Sequence, residues 1–479
     1  MLKTALALLL AAGPVVLVAG PAHPSSPRPT TPIERSEAVS TVDPTPPAAA
    51  GSARRAKTRK AFPGAQGFGT DTPGGRGGRV IRVTNLDDSG RGSLRAALEA
   101  SGRRIVVFRV SGTITLQTGL EVTNPYVTVA GQSAPGGGIT LRVDPCSEDQ
   151  ALGIYTHDVV IRYVRVRRGA DTCAGDGDSA DGIVVYKEGA HHVVVDHSSV
   201  SWAVDENLST YDYAHDVTFS WNIVSESLSN ATHPEGEHSK GVHLSGDDSY
   251  RISFHHNLLA HNNDRNPQPT NPGIADIRNN IIYNYGENAA LTSDSHGKPS
   301  FNFVGNYYIP GADTDRSEWE LDVYDGSGVG WAFYVQGNLG PHRKSNSQPQ
   351  SRTVSPEGRS SMVNTPFRTP RTRTTSAKKA YAQVLRGAGA KRPVRDAVDR
   401  RIVREVKTRT GHLIDDPSDV GGWPTLPAAA PPRDRDRDGM PDKWELAHGT
   451  KPGTKDGSRD VDKDGWTNVE EYLNSLARR

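Results

Sequence analysis

The sequence has almost no net charge, because 56 lysine and arginine residues are set against 55 aspartate and glutamate residues over 479 positions. A balanced chain creates no global field toward a nucleic acid or an anionic lipid surface. Beyond its first 22 residues the chain also lacks a long apolar stretch, so a membrane-spanning helix is not expected. We therefore predict a soluble monomer without nucleic-acid or membrane partners.

The N-terminal segment, residues 1–22, has the features of a secretory signal peptide. Lys3 precedes an apolar region over 5–19, and the small residue Ala22 suits cleavage at that point. Residues 23–60 are then rich in Pro, Ser, Thr and Ala and end in a basic run, which is typical of a linker or pro-segment. We expect the mature protein to be secreted.

Cysteine is almost absent, since the chain contains only Cys146 and Cys173. In an oxidising, extracellular compartment a disulfide between them can persist, and closing a loop of that length would contribute roughly 3 kcal/mol to stability. We expect this disulfide. Two free buried thiols are the alternative.

Helix signals are scarce, whereas glycine (49) and proline (33) are abundant and short β-branched runs recur. The predicted strands lie in the runs 104–110, 127–130, 159–166, 193–196, 217–221, 252–255, 274–282 and 301–304. Asparagine follows several of them at one offset, at Asn222, Asn257, Asn280 and Asn306. A unit of about 23–26 residues with one longer interval predicts an all-β solenoid. Asparagine at a fixed bend can form a hydrogen-bonded ladder and tolerates a left-handed backbone.

Two helices are predicted beside this solenoid. Residues 93–101 have a Ser93 cap and an apolar face, so they suit a short helix that closes the open end of the stack. The basic region 352–411 contains an amphipathic pattern at Val394, Ala397, Val398, Ile402 and Val406, which predicts a helix on the outside of the stack. The basic residues of this region form either a solvated surface or a patch that attracts an anionic polymer.

After a Pro- and Ala-rich linker over 425–432, residues 433–479 contain two acidic loops, each followed by a helical stretch. The oxygen-bearing residues of the first loop are Asp434, Asp436, Asp438, Asp442 and Glu445, and those of the second are Asp460, Asp462, Asp464, Asn468 and Glu471. Hard oxygen ligands at this spacing, with glycine at the sixth position, are typical of Ca²⁺ loops. The tail therefore resembles a dockerin-type loop–helix pair more than a full EF-hand, and its partner would be a wall component or a protein.

Polar residues also cluster on successive turns of the predicted solenoid. The groups are Asp181, then Asp205 with Glu206, then His238 with Lys240 and His243, then Asp264 with Arg265. Because the turns stack in register, residues that are distant in sequence can converge in space. Acidic groups from two turns would hold a cation and basic groups from the next two would face it. Exposed loop charges without a shared role are the alternative.

Four segments then carry a family resemblance: AFPGAQGFG (61–69), VVVDHSSVSWAVDENLS (193–209), HSKGVHLSG (238–246) and FHHNLLAHNNDRNP (254–267). They resemble the secreted pectate lyases of polysaccharide lyase family 1, and the resemblance extends over 61–424. It implies a right-handed parallel β-helix that cleaves the acidic polysaccharide polygalacturonate by β-elimination with Ca²⁺.

The resemblance also implies roles for individual residues. Asp181 and Asp205 would be Ca²⁺ ligands with Glu206 as a third, and Arg265 would be the catalytic base. Lys240 would contact the uronate carboxylate, with His238 beside it in substrate binding. A second arginine that the family usually has after the base is missing, because Gln268, Pro269 and Thr270 stand there.

Three other functions remain open at this point. A glycoside hydrolase on the same polymer would need two carboxyl groups, which Asp181 and Asp205 could supply. A pectin lyase acting on methyl-esterified polymer is a second alternative, which the acidic metal ligands disfavour. A non-catalytic pectin-binding protein is the third, and the presence of Lys240 and Arg265 opposite the acids argues against it.

Overall fold

The fold is known from a computed structural model, which describes residues 59–147, 149–170, 179–324 and 331–478. The predicted signal peptide, nearly all of the linker 23–60, and Cys173 lie outside the described residues. The Cys146–Cys173 disulfide therefore stays a prediction. The described residues belong to one compact unit that covers 57–479.

The architecture is a right-handed parallel β-helix, as predicted, in which three long sheets run along the stack and neighbouring strands are parallel. Strands are numbered in chain order. Sheet A has ten strands: β1 (Arg79–Val83), β2 (Arg104–Phe108), β5 (Val127–Ala130), β8 (Val159–Arg162), β11 (His191–Asp196), β14 (His215–Ser220), β17 (Tyr250–His255), β20 (Ile274–Arg278), β23 (Ser300–Val304) and β26 (Ala332–Gln336).

The other two long sheets and one short pair complete the coils. Sheet B has eight strands: β3 (Gly112–Leu116), β6 (Ile139–Val143), β9 (Arg165–Arg167), β12 (Ser199–Ser201), β15 (Ile223–Ser225), β18 (Leu258–Ala260), β21 (Ile281–Tyr283) and β24 (Tyr307–Ile309). Sheet C has six: β4 (Leu120–Val122), β7 (Leu152–Ile154), β10 (Ile183–Val185), β13 (Glu206–Thr210), β16 (Lys240–Leu244) and β19 (Gln268–Pro269). The pair is β22 (Ala290–Thr292) with β25 (Leu321–Val323).

The core lies inside the coils and consists of aligned apolar side chains. One such row of paired, buried residues is Val127, Val159, Val193, Val217, Ile252, Ala275, Phe301 and Phe333. Each coil therefore buries its inner face against the coils before and after it. Each strand-like run identified in the sequence contains a strand of this stack.

An asparagine ladder connects consecutive coils and confirms the prediction from the asparagine spacing. The Oδ1 atoms of Asn257, Asn280 and Asn306 accept from the backbone N–H of Asn222, Asn257 and Asn280, at 2.8, 2.9 and 3.0 Å. Asn338 extends the ladder by one further coil, at 2.8 Å. The left-handed residue, however, is the one before the asparagine, as at Trp221 and His256 with φ of 56° and 57°. The asparagine thus serves the hydrogen-bond ladder and not the left-handed position.

Helix α1 (Leu94–Glu99) confirms the short helix predicted over 93–101. The Ser93 hydroxyl accepts from the N–H of Ala96 at 3.2 Å, and Leu94, Ala97 and Leu98 are buried in the core. The helix contacts β1 and β4 and so covers the N-terminal end of the stack.

Helices α2 (Ala377–Gly387) and α3 (Ala397–Thr408) pack outside the coils against sheet B. Helix α3 confirms the amphipathic prediction, because Val398, Ile402 and Val406 are buried there. Two positions of the predicted apolar face were wrong: Val394 precedes the helix and is 44% exposed, and Ala397, the first residue of the helix, is also exposed. The helix begins only after Asp396, whose side chain caps it by accepting from the N–H of Asp399.

The C-terminal tail contains α4 (Asp442–His448) and α5 (Asn468–Arg478), which match the two predicted helical stretches. Each helix follows one of the acidic loops. Their apolar side chains pack on the outer surface of sheet A. No helix in the described part of the chain combines the length and apolar character needed to cross a membrane.

Candidate active site

The predicted site residues come together where the strands of sheet C begin. Asp181 lies just before β10, Glu206 opens β13, and Lys240 opens β16. The parallel register pairs Glu206 with Lys240, and the backbone N–H of Gly182 donates to the Glu206 carbonyl at 2.9 Å. Arg265 follows one coil later, just before β19. Stacking of the coils therefore brings these residues together, as the sequence predicted.

Three carboxylates form the acidic half of the site. Asp181, Asp205 and Glu206 each have an oxygen within 4.8 Å of the others. Asp181 is held in place because its two oxygens accept from the Glu206 N–H at 2.9 Å and the Ser209 hydroxyl at 3.2 Å. Burial, together with the neighbouring Asp205 carboxylate, raises the pKa of Asp181 well above its usual range.

This donor set fits a hard divalent cation. It contains only oxygen ligands, it is largely buried, and its members repel one another when ionised. A cation among Asp181, Asp205 and Glu206 would favour their charged forms and remove that repulsion. The prediction of Ca²⁺ at these residues is therefore compatible with their positions.

The basic half of the site comes from the next two coils. Lys240 Nζ lies 2.8 Å from Asp264 Oδ2, so the ammonium group is fixed and largely buried. The guanidinium of Arg265 contacts the carboxylate of Glu206. Burial lowers the pKa of Arg265, whereas Asp205 and Asp181 act in the opposite direction. The backbone of Arg265 is left-handed, with φ of 57°.

His238 lies behind the acidic half of the site. It is 2% exposed, its Nε2 is 2.7 Å from Asp205 Oδ1, and its ring stacks on His233. These contacts favour a role in positioning Asp205 over the direct substrate contact predicted from the sequence.

Two further side chains contact Glu206: Tyr211, which was not identified from the sequence, and His243, which was placed in the predicted polar cluster. Tyr211 donates from its hydroxyl to Glu206 Oε2 at 2.9 Å, and His243 lies 3.5 Å from Glu206 Oε1. Burial lowers the pKa of His243 to about 4. Asp264, the partner of Lys240, was placed in the predicted cluster together with Arg265. Tyr211 gave no signal in the sequence, because only the coil geometry brings it to Glu206.

A cleft of about 320 Å³ opens beside the acids. Its wall includes Asp181 and Asp205 and three aromatic rings, those of Tyr155, Tyr186 and Tyr211. The position of the missing second arginine is taken by β19, and Thr270 beyond it is hydrogen-bonded to His243 at 3.1 Å. Residues 268–270 therefore supply no arginine to the site.

The tail loops bring some of their predicted ligands together and not others. Asp434, Asp436 and Asp438 converge in the first loop, and Asp460, Asp462 and Asp464 converge in the second. Gly439 and Gly465 take the sharp turn of each loop, with φ of 95° and 93°. Burial raises the pKa of Glu471, and the carboxylates of Asp462, Asp464 and Asp460 raise it further. Glu471 therefore lies near the second loop.

The remaining predicted ligands of the tail have other neighbours. Asp442 faces Arg433 and accepts from the backbone of Arg435, while Asn468 donates to Asp456. Glu445 does not join Asp434 and Asp436 in one group but lies with Asp438 and Asp456. Asp456, in the segment between the two loops, was not predicted from the sequence because it lies outside both loop patterns.

Comparison with known proteins places these observations in a family. "Probable pectate lyase C" of Neosartorya fischeri is 36% identical over 423 residues, which cover 87% of this chain and 93% of that protein. The protein of the same name from Aspergillus terreus is 35% identical over 422 residues, covering 87% and 94%. The structure of jun a 1, the major allergen from cedar pollen, matches with a TM-score of 0.51 at 18% identity, covering 68% of this chain and 92% of that one. No protein-family model matches the chain.

The parallel β-helix and these relatives define the class of protein: the chain is a polysaccharide lyase. More particularly, it belongs to the pectate lyase family, since relatives above 30% identity match it over nearly their whole length.

Proposed function

We propose that the protein is a secreted pectate lyase that cleaves polygalacturonate by Ca²⁺-assisted β-elimination and releases 4,5-unsaturated oligogalacturonides. The family supplies the reaction class. The observation that carries the finer proposal is the opposition of three carboxylates, Asp181, Asp205 and Glu206, to the cations of the next two coils.

The substrate explains why both signs of charge are needed. A uronate carries a carboxylate beside its weakly acidic C5–H, and removal of that proton spreads further negative charge onto the carboxylate. Bound Ca²⁺ would supply electrostatic stabilisation of this charge. Lys240 adds a fixed positive charge, which Asp264 holds in one position. His238 orients the Asp205 carboxylate.

Arg265 is the proposed base. It takes the C5 proton, the C4–O4 bond breaks, and a double bond forms between C4 and C5, while the leaving oxygen receives a proton from water. Arginine is ordinarily always protonated, so its site must disfavour the charged form. Burial does so. The contact with Glu206 favours the charged form of Arg265. A cation bound to the Glu206 carboxylate would weaken this effect.

Two further proposals concern the esterification of the substrate and the metal binding of the tail. The retained acidic ligands favour unesterified polygalacturonate over methyl-esterified pectin as the substrate. We also propose that the two tail loops bind Ca²⁺.

The test is an ultraviolet assay on polygalacturonate. Elimination creates a conjugated double bond that absorbs in the near ultraviolet, whereas hydrolysis creates none. We expect absorbance to rise with Ca²⁺, to stop with excess EGTA, and to resume when Ca²⁺ is restored. New reducing ends without new absorbance would instead support a hydrolase, and neither product would support a binding protein. Full activity in EGTA, with metal removal verified by elemental analysis, would contradict the role of Ca²⁺.

A further inference from the structure

The outer surface of sheet A is apolar on its first strands, where an outward face is usually polar. Along β2, Val106 and Phe108 point into the coils, and Ile105 and Val107 alternate with them and point outward. The outward pair joins Ala130 of β5 and Val80 of β1 in one apolar patch. Left uncovered, this patch would expose side chains that favour burial.

The tail covers this patch. Its buried contributors are Met440, Trp444, Val469, Tyr472 and Leu473, which form one cluster with the outward residues of β2 and β5. The apolar faces of α4 and α5 are thus already used within the chain. A wall component or partner protein, which the sequence suggested for the tail, would therefore have to bind another surface of the tail.

Charged contacts border the same apolar cluster. Arg76 pairs with Glu470 at 2.9 Å, and its guanidinium lies 4.3 Å from the centre of the Trp466 ring. Arg82 of β1 lies 3.9 Å from the Asp434 carboxylate of the first loop. The first loop and both tail helices are therefore connected to the coils.

A buried acid cluster lies within the folded tail. Asp438, Glu445 and Asp456 are 4%, 0% and 8% exposed, and each has an oxygen within 4.8 Å of the others. Both carboxylate oxygens of Glu445 lack a hydrogen-bond partner. Among the described residues, none of the three carboxylates is in an ion pair with a lysine, arginine or histidine. Burying uncompensated charge in this way is strongly unfavourable.

Backbone contacts fix the geometry of this cluster. Asp438 Oδ2 accepts from the N–H groups of Asp456 and Gly457, at 3.1 and 2.7 Å. Asp456 is tied in turn to α5, because Asn468 Nδ2 donates to its carbonyl at 3.0 Å. The cluster thus joins the first loop, the segment between the loops and both helices. Glu445 is the one member that receives no such bond.

We propose that the Ca²⁺ ion of the first tail loop is held by Asp438 and Glu445 together with Asp456 from outside that loop, and that this ion holds the tail closed on the first coils of the β-helix; this rests on the Ca²⁺ binding proposed above for that loop. Three carboxylates without a nitrogen or sulfur ligand favour a hard cation over a transition metal. The ion compensates the buried charge of the tail, so the apolar faces of α4 and α5 stay presented to sheet A. This site lies in the tail on sheet A, whereas the active-site acids lie on sheet C.

Hydrogen–deuterium exchange on the full chain tests the proposal, with β1 and β2 as reporters. In the wild type, we expect amides of these strands to exchange on the order of 10-fold faster in excess EGTA than in saturating Ca²⁺, because loss of the ion frees the tail from their outer face. Glu445→Gln and Asp456→Asn remove one ligand charge each. In both variants, the amides of β1 and β2 should exchange at the same rate in excess EGTA and in saturating Ca²⁺, whether the tail stays folded or not.

Two control variants separate this ion from other effects. Glu357→Gln alters an exposed acid and should respond to Ca²⁺ like the wild type. Asp181→Ala disables the active-site acids and should keep the full Ca²⁺ response of β1 and β2. Equal exchange with and without Ca²⁺ in the wild type would overturn the proposal. So would a normal response in Glu445→Gln, or loss of the response in Asp181→Ala.

Discussion

At the scale of single residues, the Asp205 carboxylate owes its orientation to a buried histidine. His238 contacts Asp205 at 2.7 Å and is itself fixed by the ring of His233. A partner of this kind sets the direction of a metal ligand without touching the substrate.

His238→Gln should therefore change Ca²⁺ affinity more than chemistry. We expect the Ca²⁺ concentration for half-maximal turnover to rise about 10- to 100-fold, with turnover near the wild-type value once Ca²⁺ is saturating. The measurement is the ultraviolet assay over a Ca²⁺ titration, with the exposed His412→Gln variant as the control. A loss of turnover that excess Ca²⁺ does not restore would instead place His238 against the substrate, as the sequence suggested.

Much of the active site could be predicted from the sequence, because its residues lie in contiguous motifs. Asp205 and Glu206 are adjacent, and Arg265 stands in a distinctive segment, so the roles proposed for them follow from resemblance. Tyr211 and Asp456 could not be predicted, because their relevance arises only when coils or loops stack. The tail loops show a second limit. Sequence spacing places Asp442 among the ligands, but its carboxylate lies beside Arg433 and Arg435 instead.

At the scale of elements, α3 is attached to the coils by a buried charge cluster. Arg167 of β9 pairs with Asp396 at 2.5 Å and with Asp399 at 2.9 Å, and Arg165 lies 3.5 Å from Asp396. Each of these side chains is almost fully buried. Removing one charge would leave its partners buried and unpaired.

Asp396→Asn isolates this charge, since the amide oxygen can still cap α3. We expect the free energy of unfolding to fall by roughly 3–5 kcal/mol, because two arginines lose their buried carboxylate. Denaturant unfolding with a structural probe measures it. Asp87→Asn, at an exposed carboxylate, is the matched control and should change stability by less than about 0.5 kcal/mol. If the two variants were equally stable, the cluster would not be what anchors α3.

The elements differ in how far sequence predicts them. Strands of sheet A have four to six residues, most with clear β-branched content, and eight of the ten were predicted. Sheet C strands such as Leu120–Val122 and Leu152–Ile154 have three residues, too few for any periodicity, and they were missed. Helix α2 was also missed, because the basic character of its region hides a short apolar face.

At the scale of the whole molecule, the coils stack rings as well as apolar side chains. His256 lies 4.5 Å from Trp221, centre to centre, and its Nδ1 is 3.0 Å from that of His255. Burial, with His255 and Arg373 nearby, lowers the pKa of His256 to about 2. An unfolded chain would bind a proton at this histidine below pH about 6.5, whereas the folded one does not.

The β-helix should therefore lose stability as the pH falls below about 6.5, since protons then bind the unfolded state preferentially. His256 alone contributes up to about 1.4 kcal/mol per pH unit to this slope. His256→Gln keeps a polar side chain that does not titrate. The free energy of unfolding of this variant should therefore fall less steeply with decreasing pH, by the contribution of His256. Denaturant unfolding at several pH values below 6.5 measures it. Identical slopes for the variant and the wild type would contradict a neutral, buried His256.

The most direct test of the whole account is turnover across a Ca²⁺ titration for two variants, Asp181→Ala and Arg265→Lys, with folding checked by circular dichroism. If Asp181 binds the ion and Arg265 takes the proton, Asp181→Ala should be partly rescued by high Ca²⁺. Arg265→Lys should lose about 10²- to 10⁴-fold in turnover at every Ca²⁺ concentration, because a general base is worth that much. Near wild-type turnover in a folded Arg265→Lys variant would contradict the account.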